Sequence, residues 1–569
     1  MNKVVLLAFA LPLPAMGQII QNPPKPGDVV ISEIMADPLP VVSLPAKEYI
    51  ELENTTYYTV NLKNWTLTDG KSKARFPDTA IDPGGRIIVC STTETSLLES
   101  FGKTVGIKSF PALTDGGKIL ALSDSSGILI HGVEYSRSWY GDELKADGGW
   151  SLEMIDTAFP FSGGSNWHAS NASEGGTPGR ANSVAAKNPD SVFEGIMNVF
   201  PSDSNSIMLY LSETVFDLES NTEFVLINGD PVLRISPANL LLREFNVTPA
   251  EPLLPRTSYS LGTGNAVTDF AGNSMLRNEF SFGIPEKASK GDIVFNELLF
   301  NPLPGEPDYI EFYNASGKII DASGLRVASV NDATTDTSSL IRLPEEARCI
   351  MPGNYYVVTT DKTKVTERFF LSADENIFEI SSLPSMPDDN GHLLLFNREL
   401  VIIDEVIYDE EMQYSLLQDP EGIALEKVRP ANSPAGSSSW HTASEASGWG
   451  TPGCVNSVYV KEPASDDRVT LSSTRITPDY DGNEDILVID LKFEGNGNVV
   501  SVDIFDETGG FVRRLTDNFL AGPEAAIIWN GTDADGDVLR TGIYVMLISV
   551  FDANGKLGRW KKVCTVINR

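Results

Sequence analysis

The chain has 569 residues, of which 41% are hydrophobic and 21% charged, and its formal net charge is −35. This length fits three to five domains, and the apolar content is sufficient for buried cores. The negative field repels phosphate backbones and anionic lipid headgroups, which argues against nucleic-acid binding and membrane-surface binding. The same charge suits Ca²⁺ or cationic partners, or the solvated acidic surface of an exported protein. Frequent Gly and Pro among short apolar segments favour β-sandwiches over helical bundles.

The first residues have the composition of an export signal. Lys3 supplies a positive charge, residues 4–13 are apolar, and a small-residue cleavage site follows, so residues 1–17 are predicted to be a signal peptide of a secreted or cell-surface protein. The apolar stretch is too short to cross a bilayer, and no later transmembrane segment is predicted. Export permits disulfides, but the scattered cysteines are expected to be buried free thiols: Cys90, Cys349, Cys454 and Cys564.

Two long segments of the chain repeat each other, which predicts two copies of one domain at residues 27–184 and 291–458. Both copies open with a similar strand-like segment, ISEIM at 31–35 and FNELL at 295–299. Both close with a Trp-His pair, then a Gly-Thr-Pro-Gly turn, then Asn-Ser-Val. The copies are too long and too few for a solenoid, so each is interpreted as a whole domain.

The first copy contains short apolar runs, each ended by a turn such as Asp69-Gly70. Several runs alternate apolar and polar residues, the pattern of strands with one face on a core. The predicted strands are Val29–Met35, Tyr49–Leu52, Trp65–Thr68, Arg86–Cys90, Ile119–Ser123 and Ile128–Tyr135. The second copy follows the same plan with different loop lengths, as expected when insertions fall in exposed turns.

This pattern resembles the lamin tail domain. The resemblance is carried by an opening Ser/Asn-Glu-Ile/Leu strand, an Ile-Glu-Leu/Phe strand that ends in Asn, and the NWTLTDG turn at 64–70. The second copy departs from the turn motif, with SGLRV at 323–327. The resemblance implies an immunoglobulin-like sandwich of a kind found in bacterial secreted and surface proteins. The predicted fold class is all-β, as tandem immunoglobulin-like β-sandwiches.

Two further domains are predicted outside the repeats. Residues 189–285 contain short strands and the turn DFAGN, and they resemble a bacterial Ig-like domain. Residues 469–569 contain TPDYDGNED at 477–485, WNGTDADG at 529–536 and GIYV at 542–545, and with this order of motifs they resemble the Ig-like domain of the flagellar hook-capping protein, as found at the C-termini of exported bacterial proteins. This resemblance implies a C-terminal address for type IX secretion. The basic, apolar run at 560–567 is compatible with such a signal, and the alternative is that it is simply the last strand of a sandwich. A polar linker at 461–468 is expected to separate this domain from the second repeat.

An acidic turn in the last domain is a candidate Ca²⁺ site. Oxygen ligands stand at alternate positions, namely Asp479, Asp481, Asn483 and Asp485. Gly is at the fourth position and no Glu is at the twelfth, so the turn is not an EF-hand. A turn capped by its own Asx side chains is the alternative. The same two interpretations apply to a second acidic turn, formed by Asp533, Asp535 and Asp537.

The standard catalytic signatures H-E-x-x-H, G-x-S-x-G and G-x-x-x-x-G-K-[S/T] are missing from the sequence. His168 and His441 could act as bases or ligands. Each follows a Trp at the end of its domain, so the expected role is a closing Trp beside a His bonded to nearby backbone. Four glutamates in the repeats could serve as glycosidic acid and base, lie on an exposed face, or bond a neighbouring loop: Glu33, Glu51, Glu297 and Glu311.

The sequence therefore predicts a non-catalytic, exported protein that presents sandwich loops to an extracellular protein or polysaccharide. No cofactor is expected apart from Ca²⁺. Two alternatives remain open: an accessory component that binds substrate for a secreted hydrolase system, and a hydrolase with its site at a domain junction. This functional prediction rests on fold analogy.

Overall fold

The computed structural model describes residues 23–331, 336–344, 346–370, 372–414, 417, 419–430, 439–460, 467–479, 481–493, 495, 497–552 and 556–568. About 41% of the chain is strand and 8% helix, in many separate sheets, which confirms the predicted all-β class of tandem Ig-like domains. The predicted signal peptide at 1–17 and residues 461–466 of the predicted linker lie outside the described residues. None of the described helices has the length and apolar character of a membrane span.

The first repeat forms two facing sheets and a two-stranded ribbon. The sheets have the orders β12-β11-β1-β2-β7-β8 and β10-β9-β4-β5, and the ribbon is β3-β6. The strands are β1 Val29–Met35, β2 Tyr49–Asn54, β3 Val60–Asn61, β4 Thr66–Thr68, β5 Lys73–Arg75, β6 Ala80–Ile81, β7 Arg86–Ser91, β8 Thr104–Ile107, β9 Gly117–Ser123, β10 Leu129–Ser136, β11 Leu152–Met154 and β12 Trp167–Ala169. Short helices are α1 Thr95–Leu98, α2 Glu143–Ala146 and the 3-10 turns Arg137–Tyr140 and Gly163–Asn166.

All six strands predicted for the first repeat are confirmed, with ends shifted by at most two residues. The alternation predicted for several runs does not extend to β1, in which all seven residues are buried. Its apolar side faces a core that contains Trp65, Phe76 and Trp167. Its polar side is buried as well, because a distant segment of the same repeat covers it.

The middle segment forms a five-stranded sheet, β17-β18-β14-β13-β20, and a four-stranded sheet, β16-β15-β19-β21. One hydrophobic cluster, which includes Phe193, Phe245 and Phe282, fills the space between them. The strands are β13 Phe193–Asp203, β14 Ser206–Leu211, β15 Val225–Ile227, β16 Asp230–Pro231, β17 Arg234–Pro237, β18 Glu244–Thr248, β19 Tyr259–Thr263, β20 Met275–Arg277 and β21 Glu279–Phe282. Two 3-10 turns, Leu218–Ser220 and Thr222–Phe224, precede β15.

The second repeat has the strand order of the first. Its sheets are β33-β32-β22-β23-β28-β29 and β31-β30-β25-β26, with a β24-β27 ribbon. Even the register shift early in the first strand recurs, at 31/33 and 295/297. The strands are β22 Ile293–Leu299, β23 Tyr309–Asn314, β24 Ile320–Asp321, β25 Arg326–Ser329, β26 Ile341–Arg342, β27 Cys349–Ile350, β28 Tyr355–Thr359, β29 Ile377–Glu379, β30 Asn390–Phe396, β31 Ile402–Asp409, β32 Leu425–Lys427 and β33 Trp440–Thr442. Helix α3 is Lys362–Arg368, and 3-10 turns are Ala322–Gly324, Asp374–Asn376, Glu410–Met412 and Glu445–Ser447.

The last segment pairs a three-stranded sheet, β34-β36-β39, with a five-stranded sheet, β35-β41-β40-β37-β38. Trp529 and Tyr544 meet edge to face in its core, with ring centroids 5.9 Å apart. The strands are β34 Val469–Leu471, β35 Arg475–Ile476, β36 Leu487–Lys492, β37 Asn498–Asp506, β38 Phe511–Ala521, β39 Glu524–Trp529, β40 Gly542–Phe551 and β41 Leu557–Val566.

Side chains pack across the junctions between these units. Phe161 of the first repeat contacts Phe216 and Phe270 of the middle segment, with ring centroids 5.2 and 4.8 Å away. Between the middle segment and the second repeat, Asn198 donates to the carbonyl of Ala347 at 2.8 Å. These ring contacts and this partly buried hydrogen bond join neighbouring units directly.

The second repeat and the last segment share a buried ion pair, in which the Arg429 guanidinium binds Asp490 on β36 through both of its terminal nitrogens. A small apolar cluster surrounds the pair and includes Val428, Val458 and Val488. Residues 461–468 were expected to separate two folded units. The flanks of that linker lie in a common interface.

We expect Arg429→Ala to lower the free energy of unfolding of the last domain by about 3–5 kcal/mol, because it leaves the Asp490 charge buried and unpaired. Chemical denaturation followed by hydrogen exchange of residues 487–492 measures this change. The exposed Arg398→Ala of the same repeat is the matched control. Replacing both partners, Arg429→Met with Asp490→Leu, should recover most of the loss, and an equal loss in the double variant would contradict the ion-pair explanation.

Candidate functional site

Three glutamates lie side by side in the six-stranded sheet of the first repeat. Glu33 on β1 is in register with Glu51 on β2 and with Glu153 on β11, and none of the three has exposed surface. Residues paired across neighbouring strands project from the same face of a sheet, so the three carboxyls meet. Residues 176–184, here called the closing segment, lie over that face and bond to them.

Glu33 and Glu51 bind backbone amides of the closing segment. Glu33 Oε1 accepts hydrogen bonds from Thr177 N at 2.8 Å and from the Tyr49 hydroxyl at 2.8 Å. Glu51 Oε2 accepts from Gly179 N at 2.6 Å. These carboxyls thus accept hydrogen bonds from loop amides that have no partner in a neighbouring strand.

Glu153 binds the far end of the same segment. Its Oε1 accepts from the Thr177 hydroxyl at 2.9 Å, and its Oε2 accepts from Ser183 N at 2.6 Å and from the Ser183 hydroxyl at 2.8 Å. Val184 N donates to the same oxygen at 3.2 Å. The side chain of Asn182 completes the attachment with bonds of 2.8 Å to two strand carbonyls. Together these bonds fasten the closing segment to the sheet.

The second repeat contains the same arrangement. Glu297 on β22 pairs in register with Glu311 on β23 and Glu426 on β32, and all three are fully buried. Gly453 N donates to Glu311 Oε2 at 2.6 Å, as Gly179 does to Glu51 in the first repeat. Two copies that preserve the same buried carboxyls and donors indicate one structural device used twice.

The Gly-Thr-Pro-Gly turn is needed because the closing segment approaches the sheet closely. A Cβ atom at Gly176 would lie 2.7 Å from Glu33 Oε1 and 2.8 Å from the Tyr49 hydroxyl. Gly179 has φ of +79°, a conformation that favours glycine, and a Cβ there would be 2.2 Å from the carbonyl of Phe101. A side chain at either position would lift the segment off the carboxyls.

The contacts of the Thr451 hydroxyl indicate that one carboxyl of the second cluster carries a proton. Its Oγ1 lies 3.0 Å from Glu297 Oε2 and 2.9 Å from Glu426 Oε1. A hydroxyl can donate only one hydrogen. Both contacts are hydrogen bonds only when one of the two carboxyls is protonated and donates to Thr451. Geometry alone therefore favours a neutral carboxylic acid in this cluster.

The electrostatics of the clusters agree with that geometry. Burial raises the pKa of Glu297, and the neighbouring Glu426 raises it further. Burial also raises the pKa values of Glu33 and Glu51, and in Glu51 the Glu33 charge adds to the effect of burial. Burial disfavours the charged form of a carboxyl, and nearby like charges act in the same direction.

The outcome for the repeated glutamates is mixed. The predicted bond to a neighbouring loop is confirmed for Glu33, Glu51, Glu297 and Glu311, whereas an exposed face is wrong because all four are fully buried. Burial also closes them to a glycosidic substrate. The third glutamate of each cluster, Glu153 in the first repeat and Glu426 in the second, was not among the predicted residues. The signal was available in the matching triplets at 151–153 and 424–426.

The two Trp-His pairs have the structural role expected from the sequence. Trp167 and Trp440 lie in the cores of their repeats. His168 Nδ1 lies 3.0 Å from the carbonyl of the next residue, and His441 Nδ1 lies 2.9 Å from its own neighbour's carbonyl. Each His is therefore bonded to nearby backbone, as predicted.

The acidic turn of the last domain does bring its carboxyls together. Oxygens of Asp479, Asp481 and Asp485 lie within 4.8 Å of one another. The turn also caps itself, since Gly482 N donates to Asp485 Oδ2 at 2.7 Å and Asn483 N donates to Asp481 Oδ1 at 2.8 Å. These oxygens are the ligand type that Ca²⁺ prefers. In the second acidic turn Asp533 accepts two backbone amides at 3.0 Å, from residues 535 and 537.

A second group of three carboxyls, missed in the sequence, lies where the first repeat meets the middle segment. Asp190, Glu213 and Asp269 have oxygens within 4.8 Å of one another. Ser162 of the first repeat donates to Asp190 at 2.8 Å. Burial, with the charges of Asp190 and Asp269, raises the pKa of Glu213 to about 8. Only Asp269 stands in a motif that the sequence marked, the DFAGN turn.

The cysteines are free thiols. Three are buried and one, Cys454, is half-buried. Burial raises the pKa of Cys90 to about 11 and that of Cys564 to about 12. These thiols are protonated near neutral pH, which makes them poor nucleophiles. The expectation of buried thiols is confirmed for Cys90, Cys349 and Cys564.

Comparison with known proteins places the first repeat in a recognised class of Ig-like domain. Residues 22–137 match the family described as Lamin Tail Domain, which confirms the predicted resemblance over that range. No curated protein matches the chain. CopC from Methylosinus trichosporium OB3b is 21% identical, with coverage of 18% of this chain and 92% of that one and a TM-score of 0.13.

Two other solved structures cover more of the chain. SGBP-B of the Bacteroides ovatus mixed-linkage glucan utilization locus, in complex with a mixed-linkage heptasaccharide, is 10% identical, covers 87% of both chains and has a TM-score of 0.15. Dimeric latent PorU from Porphyromonas gingivalis is 11% identical, with coverage of 71% and 35% and a TM-score of 0.15. At these scores the likenesses carry no argument about function.

Proposed function

We propose that this chain is an exported, non-catalytic protein that displays the loops of linked β-sandwiches to an extracellular protein or polysaccharide. The observation that carries the proposal is the packing at the domain junctions, above all the buried Arg429–Asp490 pair. Joined sandwiches hold their loops at fixed spacing, and fixed spacing lets several weak contacts act together. The buried glutamate clusters serve this role by holding the last segment of each repeat in place.

The domain assignment belongs to the same proposal. Residues 27–184 and 291–458 are two lamin tail domains, the second supported by the identical strand order of its sheets. Residues 189–285 form a bacterial Ig-like domain. Residues 469–569 form a domain like that of the flagellar hook-capping protein, and they carry the address for type IX secretion.

An accessory role in a secreted hydrolase system is the second candidate. A cleft at the junction between the middle segment and the second repeat supports it, because ligand sites occur preferentially at domain interfaces. An enzyme in its own right would also place its site at such a junction. Activity screens on polysaccharides separate these cases: an accessory component binds the substrate and leaves it intact.

Fractionation of the native organism tests the proposal. We expect the chain in the culture medium or on the cell surface, without residues 1–17 when both ends are mapped by mass spectrometry. Type IX export would also remove part or all of the last domain. The purified chain should be retained on a matrix-polysaccharide or cell-wall fraction. An intact cytoplasmic chain that is retained on neither fraction would contradict the proposal.

Binding of Ca²⁺ to the acidic turn at 479–485 is also proposed, supported by the three carboxyls within 4.8 Å. We expect Ca²⁺ at a hundredfold excess over its Kd to stabilise the last domain by about 2.7 kcal/mol, and a chelator to reverse the effect. Asp481→Asn keeps the acceptor for Asn483 N but removes a charge, so it should abolish the shift. Asp533→Asn in the second acidic turn is the control, and an unchanged melting temperature of the wild type with Ca²⁺ would favour the self-capped turn.

A further inference from the structure

A cleft of about 510 Å³ lies between the middle segment and the second repeat. Strands β20 and β21 of the middle segment form one side, and residues 348–356 and 375–378 of the second repeat form the other. The two sides are fixed to each other, since Asn198 bonds Ala347 and the Cys349 thiol donates to the carbonyl of Gly283 at 3.4 Å. The cleft is therefore built by both domains together.

Aromatic rings and a guanidinium group form a stack at this junction. Tyr356 and Phe378 are parallel to within 16°, with centroids 4.4 Å apart. The Arg348 guanidinium lies 4.5 Å from the centroid of Phe378 and 5.8 Å from that of Phe280 across the junction. Tyr355 also lines the cleft. Tyr356 is buried, so the half-buried rings of Tyr355, Phe280 and Phe378 are the ones that offer surface to the apolar faces of sugar rings.

Two arginines line the cleft without an ion pair in the described part of the chain. Arg348 donates from Nη2 to the carbonyl of Met197 at 2.8 Å, and Arg277 is half-buried on β20. Burial lowers the pKa of Arg348, and the charge of Arg277 adds to this effect although Glu346 opposes it. Two neighbouring cations are unusual in a chain of net charge −35. A guanidinium pair with free donors fits a carboxylate in bidentate geometry.

One buried polar atom in the cleft wall lacks a partner. Tyr356 is only 2% exposed, and its hydroxyl makes no hydrogen bond to any described residue. Leaving a buried hydroxyl unpaired is costly, so such a group points to a ligand or water that the site accepts. Tyr356 lines the cleft beside Phe378, so this unpaired hydroxyl belongs to a residue of the cleft wall.

We propose that this cleft binds an acidic saccharide, with a uronate carboxylate held by Arg277 and Arg348 and the sugar ring against the aromatic wall. Exposed carboxylates also line the cleft and accept hydrogen bonds from sugar hydroxyls; they are Glu194, Glu279 and Glu375. The same carboxylates repel anionic ligands that have no hydroxyl groups to donate to them. The inference rests on the proposed extracellular binding function and specifies its ligand class.

Calorimetry on the full chain tests this site with tetragalacturonate as the probe and cellotetraose as the neutral comparator. We expect tetragalacturonate to bind and cellotetraose to bind at least tenfold more weakly. Arg277→Gln should weaken tetragalacturonate binding about tenfold, since a bond to a charged group is lost. Arg234→Gln, an exposed site in the same domain, is the matched control and should leave binding unchanged.

Tyr356→Phe provides a second readout, because it removes only the unpartnered hydroxyl. We expect weaker tetragalacturonate binding with an unchanged or raised melting temperature, whereas unchanged binding would show that the hydroxyl has no ligand role. Binding of poly-L-glutamate but not tetragalacturonate would overturn the saccharide proposal. So would equal binding by wild type and Arg277→Gln. If the cleft fails these tests while the chain is still retained on matrix fractions, only the cleft proposal is lost; if retention fails too, the proposed function is lost.

Discussion

Replacing Glu153 with alanine should lower the free energy of unfolding of the first repeat by about 1–3 kcal/mol, since the buried Thr177 hydroxyl and three partly buried hydrogen bonds lose their acceptor. The donors are the Thr177 hydroxyl, both donor groups of Ser183, and Val184 N. Thr177 is buried and loses its acceptor outright, whereas Ser183 is exposed and its hydroxyl also lies 3.2 Å from that of Ser170. Denaturation of the full chain, with hydrogen exchange of residues 176–184, reports the loss where it occurs.

Two variants sharpen this test. Glu143→Ala changes an exposed glutamate of the same repeat and should shift stability by less than about 0.5 kcal/mol. Glu153→Gln keeps one acceptor oxygen and adds a donor for the Thr177 hydroxyl, so it should retain more stability than Glu153→Ala. An alanine variant as stable as wild type, with a protected closing segment, would show that the cluster does not hold that segment.

The stability of both repeats should fall as the pH rises from about 6.5 to about 8.5, by on the order of 1–3 kcal/mol per repeat. The pKa is raised by burial in Glu33, to about 7, and in Glu51 and Glu297, to about 8. A raised folded-state pKa means that the folded chain binds more protons than the unfolded chain. The resulting stability is complete below the unfolded value of 4.5 and is lost as the pH passes the folded values.

The pH window is chosen to exclude an opposite effect. Burial lowers the pKa of His131 to about 4, so the unfolded chain binds more protons than the folded chain between that value and 6.5. This histidine adds stability as the pH rises through that range and contributes no slope above it. Denaturant midpoints measured between pH 6.5 and 8.5 therefore report the glutamate clusters together with Glu213 and Asp308, whose pKa values burial raises to about 8 and about 7.

Glutamine variants identify the groups responsible. Glu51→Gln and Glu311→Gln remove one titrating carboxyl from each cluster and should flatten the slope of stability against pH. Glu99→Gln, at an exposed position, should leave the slope unchanged. Stability that is flat or rises across this window in the wild type would mean that the clusters release no protons between these pH values.

The sequence was informative wherever a pattern depends on near neighbours. Short apolar runs ended by Gly turns gave the strands of the first repeat, and the repeated motifs predicted a second copy whose sheets have the same order. The paired motifs also identified four of the six buried glutamates. Each of these signals needs only local spacing or self-comparison.

Burial of both faces of β1 could not be predicted, because alternation assumes that one face meets solvent. The polar face of β1 is covered by the closing segment, in which Thr177 lies 144 residues after its partner Glu33. The junctions escaped prediction for the same reason. The polar linker gave no sign of the contact between Arg429 and Asp490, which are 61 residues apart in sequence. Contacts between residues so far apart in sequence produce no periodic pattern from which they could be predicted.

Small-angle X-ray scattering of the purified chain tests the central claim most directly, namely that packed junctions hold the sandwiches at fixed spacing. We expect the profile to be fitted by one arrangement of the domains, and Arg429→Ala to make the last domain mobile. A wild-type profile that requires an ensemble of domain arrangements, and that Arg429→Ala leaves unchanged, would contradict the account.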